Sequence, residues 1–497
     1  MSQTIIRKQG FFFALISYIG VAIGIFSTLF IYPRNLELYG LYGFLTNTAS
    51  LFTPFITLGF GTVLIRYSPF FKDKQNQKSG FFYFILAGYG IGMIFFTLLF
   101  LSIKPWYIRQ IEAHSDTIAN YSFFLLPLTL LYVLFDLMGI CSVNKKQIAL
   151  PALLQNLMKI ILPFIFILSL KDYLNVSQFI FCILSYYLGI TIFLFLKLKS
   201  ENPSFFSFNS EIFKTPLKRS MITFALFNII GGVSAVLALR IDTLMISSLL
   251  NAEETGKFVL ASFICNAAYI PALSLTEILN PFVSEASKAE DFSLLNQYYK
   301  KSVINMLIPT LWLGLCLWAC MDDLTGIMPN SHKMQGIKYC LGILLLARVV
   351  DASTGINLHI FNYSKHYRLE TILLLCLAVI NISLNFFFIP KFGILGAALG
   401  TLISVCIYNI SKSILIIHFL KLNPFDSQWL KIIALGLILC ILVSNIDWNL
   451  PAYVSIPVKG SLISLVFIWS IWHFNLSMEL KNLAHQKIVK LLTKKSN

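Results

Sequence analysis

The chain has 497 residues, of which 57% are hydrophobic, only 12% are charged and 45 are phenylalanine; a soluble domain carries about a quarter charged residues, so a water-soluble globular protein is excluded. The net charge of +16 does not argue for a nucleic-acid partner. The basic residues sit in the loops between apolar runs, where the anchoring charges of a membrane protein belong.

About fourteen apolar stretches fill the chain, most of them near the roughly 20 residues that a spanning helix needs. In chain order they are 11–31, 43–66, 80–103, 121–143, 151–170, 178–196, 221–249, 256–279, 303–320, 337–360, 371–389, 396–419, 429–446 and 458–475. They are too long and too uniformly apolar for barrel strands, so the predicted fold is an all-α polytopic membrane protein. The first stretch follows Arg7 and Lys8, exceeds a signal-peptide core and lacks a small-x-small cleavage site, so it reads as a retained helix. The nine cysteines lie in or beside the runs and none forms a CxxC. They read as small buried hydrophobes, not as a disulfide frame or a metal site, and no bound cofactor is expected.

With the N-terminus in the cytoplasm, most of the 38 Lys and Arg fall in the termini and in every second loop. This bias predicts that both ends are cytoplasmic. The tail from Lys481 to Lys495 is basic and mildly amphipathic; it suits the anionic inner leaflet or, equally, a solvated tail.

The chain also reads as duplicated, with an offset of roughly 215 residues. Tyr39-Gly40-Leu41-Tyr42 opens the second helix and Thr255-Gly256-Lys257-Phe258 the eighth, with Pro54 and Pro271 following. Asp136 and Asp351 each precede a nearby glycine, Gly139 or Gly355, and then an Asn/Lys loop. The expected organisation is a six-helix lobe over 1–196, a cytoplasmic linker over 197–219, a six-helix lobe over 220–420, and two further helices with a basic tail over 421–497. Paired helical lobes related by an axis along the membrane normal suit alternating access.

Asn381-Ile-Ser-Leu-Asn385, followed by Ile389-Pro390-Lys-Phe-Gly393-Ile-Leu-Gly396-Ala397-Ala398-Leu-Gly-Thr401, resembles a hallmark of the Wzx-type polysaccharide-export flippases. These belong to the multidrug/oligosaccharidyl-lipid/polysaccharide (MOP) superfamily. Gly59-Phe-Gly61-Thr-Val-Leu-Ile-Arg66 and Asp242-Thr-Leu-Met-Ile, then Gly256-Lys-Phe, are similar to the same family. The resemblance covers residues from about 10 to 420 and marks the superfamily better than the substrate. It implies a MATE-like V of two lobes around a central cavity. It also implies that an undecaprenyl-pyrophosphate-linked oligosaccharide is moved across the bacterial inner membrane for O-antigen, capsule or exopolysaccharide synthesis. Membrane lipids are implied partners, as are a glycan polymerase and glycosyltransferases, with coupling to H+ or Na+. The arginine pattern expected of the peptidoglycan-precursor flippase is not seen, which ranks that substrate lower. Within the hallmark, Pro390 should end one helix, while Gly393 and Gly396 should permit a tight turn and close packing.

An ionisable residue inside an apolar run is costly and is a site candidate by default. Three cations are singled out for the pyrophosphate or glycan: Lys159, Arg240 and Arg348. Arg348 and Asp351 share a helix face, continued by Gly355 and His359, so they either neutralise each other or leave Arg348 for a phosphate. Arg240 and Asp242 point to nearly opposite sides and need separate partners; Arg240 either snorkels to the outer headgroups or faces a cavity. Lys159 is mid-span, where snorkelling is harder, and would face Arg348 from the other lobe. Asp351, Asp242, Asp136 and Glu277 are the candidates for ion coupling, with Asp136 and Glu277 near the cytoplasmic ends. No catalytic constellation stands out. A cation-coupled drug or metabolite exporter of the same superfamily remains an alternative, as does a membrane glycosyltransferase or polymerase.

Overall fold

Apolar sequence in a bilayer has no water to satisfy its backbone, so helices that close their own hydrogen bonds are the expected outcome. In the computed structural model, residues 19–71, 75–144, 149–201, 203–206, 208, 216–445, 450–474 and 476 are described, and among them there is no strand. Eleven helices are long and apolar enough to cross a membrane, and two bent pairs bring the count to as many as 13. The chain is therefore a multi-pass helical membrane protein. The basic tail, Arg7, Lys8 and residues 209–215 of the expected linker lie outside the described residues.

The helices are α1 (Ile19–Phe30), α2 (Leu36–Thr57), α3 (Phe60–Tyr67), α4 (Gln75–Glu112), α5 (Asp116–Tyr121), α6 (Leu125–Asn144), α7 (Ala149–Leu170), α8 (Val176–Glu201), α9 (Lys218–Leu249), α10 (Ala252–Lys288), α11 (Phe292–Ile327), α12 (Ile337–Ala352), α13 (Asn357–Tyr363), α14 (Tyr367–Phe392), α15 (Ile394–Leu420), α16 (Ser427–Ser444) and α17 (Ala452–His473). Two of the expected uniform spans are not single straight helices. The span 43–66 is interrupted at Leu58 and Gly59, both left-handed. The span 337–360 breaks between α12 and α13 with a 46° bend. Hydropathy does not see such breaks, because the interrupting residues are themselves small or apolar.

By packing, the chain falls into two units, Met1–Leu260 with Ala378–Ala397, and Ala261–Leu377 with Ala398–Asn497. This grouping cuts across the halves read from the sequence, because α9 packs along α2. In the first unit the core gathers Tyr67, Phe71, Phe81, Tyr89 and Leu137, with Met221 and Ala225 of α9 among them. In the second unit, α16 and α17 dock on α11, burying Leu307, Ile432, Ile463 and Phe467 together. A buried ion pair adds to this contact: Lys459 Nζ lies 2.6 Å from Asp323 Oδ2, and Ser455 donates to the same oxygen at 2.8 Å.

The two glycines that open the repeated motifs meet within the first unit. A Cβ at Gly40 would lie 1.7 Å from the Ala252 carbonyl oxygen, and one at Gly256 would lie 2.1 Å from that of Leu36. The start of α10 thus rests backbone-to-backbone on α2, an approach open only to residues without a side chain.

Candidate functional site

Arg348 of α12 is held by α10. Its Nη2 donates to Asn266 Oδ1 at 2.7 Å, and its guanidinium lies 5.3 Å from the centre of the Tyr269 ring. Asp351, one turn further on, accepts from Asn409 Nδ2 of α15 at 3.3 Å and also lies beside the Tyr269 hydroxyl. Among the described residues no ion pair joins Arg348 to Asp351, so the mutual neutralisation that their spacing allows is not formed. Their common face does not continue to His359 either. α12 stops at Ala352, and Gly355 has φ +60°. Its missing side chain admits Ser302, whose Oγ would lie 2.5 Å from a Cβ there. That hydroxyl accepts the Ile356 N–H at 3.2 Å, supplying a partner that the broken helix cannot.

The break is enclosed by a buried polar cluster of the second unit. Asn409 Oδ1 lies 2.9 Å from the Thr354 hydroxyl and 3.1 Å from Asn357 Nδ2. Lys412 Nζ reaches Asn357 Oδ1 at 3.3 Å, the Tyr408 hydroxyl at 2.6 Å and Glu370 Oε1 at 3.3 Å. Tyr408 donates its proton to the same Glu370 oxygen at 2.5 Å. The sequence candidates do not include Lys412 and Glu370. Lys412 lies inside the apolar span 396–419, with Tyr408 one turn before it, and that position was the available signal. Glu370 falls one residue outside the span 371–389, where apolar run length gives no signal for it.

In the first unit, Arg240 and Asp242 of α9 do go to different partners. Arg240 donates through Nη1 to Asn47 Oδ1 of α2, with the rings of Tyr42 and Tyr132 beside it. Asp242 is 7% exposed, and its Oδ1 accepts from Asn381 Nδ2 at 3.0 Å and from Asn385 Nδ2 at 2.6 Å. The two asparagines of the hallmark segment therefore serve Asp242, roughly 140 residues away, a pairing no local motif could reveal. The carbonyl oxygens of both amides are buried without a hydrogen-bond partner.

The remaining candidates are more scattered. Lys159 is exposed on α7, its stem running beside Gly20 of α1. Asp136 on α6 faces the Tyr89 hydroxyl at 3.4 Å. Glu277 is exposed on α10. Pro390 does not end its helix: α14 runs on to Phe392 and stops where Gly393 turns with φ +59°. A proline near a helix C-terminus loses one backbone donor but need not break the last turn. Gly396 allows close packing as expected, since a Cβ there would lie 2.2 Å from the Phe388 carbonyl oxygen.

The described residues thus combine long, bent apolar helices with two arginines oriented by asparagine and a buried carboxylate. The fold is similar to that of several solved membrane proteins. One is similar to "Lipid II flippase MurJ, inward closed conformation", at 16% identity, covering 94% of this chain and 99% of that one with a TM-score of 0.72. Another is an inward-facing multidrug resistance MATE family transporter of the MOP superfamily, at 14% identity, 87% and 96% coverage and a TM-score of 0.65. A MOP superfamily transporter from Pyrococcus furiosus follows at 13% identity, 84% and 94% coverage and a TM-score of 0.52. No functionally curated protein matches the chain by sequence. The model of the polysaccharide biosynthesis protein family matches residues 8–287, more than half of the chain, and the chain belongs to that family.

Proposed function

We propose that this protein is a flippase that moves a polyprenyl-pyrophosphate-linked oligosaccharide across the bacterial plasma membrane by alternating access, for synthesis of a cell-surface polysaccharide. The observation that carries the proposal is the state of the two arginines. Arg240 and Arg348 are each oriented by a neutral asparagine and flanked by tyrosine, and among the described residues neither is paired with a carboxylate. A guanidinium held in place but not neutralised keeps its fork for an anion, and pyrophosphate matches it bidentately. A glycan head with a pyrophosphate cannot cross hydrocarbon unaided, because its hydroxyls and charges would lose their water. Tyrosine and asparagine beside each arginine replace part of that hydration. A drug exporter for organic cations would gain nothing from uncompensated arginines, which is why this reading ranks below the flippase.

Coupling is assigned to Asp242. A buried carboxylate with two amide groups whose oxygens lack partners is an all-oxygen donor set that suits a hard monovalent cation or a proton. Turning the amides of Asn381 and Asn385 about their last torsion would bring those oxygens towards the ion. Lys159 is retained as a second contact for the substrate. The glycan polymerase and the glycosyltransferases of the same pathway are proposed partners. In cells lacking this protein, the lipid-linked glycan should accumulate in the inner leaflet with its structure unchanged, measured by leaflet-resolved labelling and mass spectrometry. A shortened or missing glycan would indicate a biosynthetic enzyme instead.

A further inference from the structure

The segment from Gly59 to Arg66 has no part in the site described above. It seats α3 on the start of α9. A Cβ at Gly59 would lie 2.2 Å from the Ala225 carbonyl oxygen, and the Tyr67 hydroxyl lies 2.9 Å from Ser220 Oγ. The Arg66 guanidinium lies 4.3 Å from the centre of the Phe224 ring, yet the residue is exposed. Its position is therefore fixed by packing while its donors stay accessible. Lys218 and Arg219, just before Ser220, are exposed as well. The first turn of α9 holds no acidic residue. Among the described residues, no carboxylate pairs with Arg66, Lys218 or Arg219. Arg219 also heads an ordered stripe. At 3.6 residues per turn, Arg219, Thr223, Leu226 and Ile230 fall within about 60° on one face of α9. All four are exposed, and so is Ile65 beside Arg66 on α3. The stripe passes from cation through hydroxyl to hydrocarbon over about 16 Å. A membrane lipid presents phosphate, ester and acyl chain in the same order. A soluble anion would have no use for the apolar continuation. The Lys/Arg bias predicts that this end of α9 is cytoplasmic, the side on which anionic lipids attract basic groups.

We propose that Arg66 and Arg219 form a headgroup site for a resident anionic phospholipid of the cytoplasmic leaflet. The two guanidinium groups hold the phosphate, and Lys218 adds to the local positive potential. Thr223 sits at the depth of the ester region, and one acyl chain runs along Leu226 and Ile230. Arginine suits the role, because its planar fork binds phosphate oxygens bidentately and is less strongly hydrated than an ammonium. The bound lipid ties α3 to α9 just beyond the break at Leu58 and Gly59, through charge contacts that the protein does not make by itself. Its phosphate chemistry is shared by free phosphate and by a polyprenyl pyrophosphate, so both belong in the test. The site does not depend on the proposed function, and it lies apart from Arg240 and Arg348.

The test is native mass spectrometry of the delipidated full-length protein in detergent, titrated with dioleoyl phosphatidylglycerol or with zwitterionic dioleoyl phosphatidylcholine. The anionic lipid should bind more tightly, and added salt should weaken it. Arg66→Gln with Arg219→Gln should raise its Kd by about thirtyfold, as expected for two cations at a lipid surface, and each single change by about fivefold. Binding of the zwitterionic lipid should stay as it was. The single variants serve if the double variant does not fold. Arg109→Gln, at the other end of α4, should leave both lipids unaffected. Equal binding of the two lipids by the wild-type protein would overturn the proposal. So would an equal loss in Arg109→Gln, which would reduce the effect to overall charge. Displacement of the phospholipid by inorganic phosphate at matching concentration would leave an anion site without a lipid. Displacement by far less polyprenyl pyrophosphate, needing the same two arginines, would make this a substrate contact instead.

Discussion

Arg348 is the residue on which the substrate reading turns. Its partners are Asn266 and Tyr269, so removing it orphans no buried carboxylate. Arg348→Ala should lower glycan export by at least about tenfold with normal protein levels, and Arg348→Lys should recover part of it, since the charge returns without the bidentate fork. The double change Arg348→Ala with Asp351→Ala should not restore export, because Asp351 is held by Asn409 and not by Arg348. Export and membrane abundance measured together would decide, and a fully active double variant would remove Arg348 from the site. At Asp242, Asp242→Asn should abolish export or make it independent of ion gradients while the helices remain inserted, checked by transport into vesicles with and without imposed Na+ and H+ gradients.

Elements meet most tightly where α2 and the start of α10 cross. A methyl group at Gly256 would overlap the Leu36 carbonyl oxygen. Gly256→Ala should force the two backbones apart and cost about 1–3 kcal/mol, the usual scale of overpacking. The thermal midpoint of the purified protein should fall accordingly, whereas Gly90→Ala, at a position with open space around it, should leave it unchanged. An equal effect of both would mean that the glycine pair is not a contact of the folded protein. The α12–α13 break belongs to this scale too. It exists because Gly355 can take a left-handed turn and because Ser302, Asn409 and Lys412 supply partners for what the interrupted helix lacks.

For the whole molecule, the Lys/Arg bias predicts that both ends are cytoplasmic. Reporter fusions at Asn330 and Asn497 should therefore report periplasm and cytoplasm respectively. The same compartment at both would sink this topology. The loop near Asn330 is a good site for insertion, because it lies between α11 and α12 and Asn330 itself turns with φ +58°.

Composition and apolar run length were enough to determine a helical, multi-pass membrane protein, because burial in hydrocarbon constrains every residue of a span. The hallmark around Asn381 and Gly393 pointed to the family for the same local reason: tight turns and close helix contacts demand particular residues in order. The spacing of Arg240 and Asp242 likewise dictated that they could not share a partner. What served each charge was decided only in three dimensions. Asp242 met Asn381 and Asn385 from a distant helix, Arg348 took Asn266 instead of Asp351, and Lys412 found Glu370 across two helices. A hydropathy window registers a charge as a cost, whereas the partner that offsets it depends on which helices pack together and at what depth.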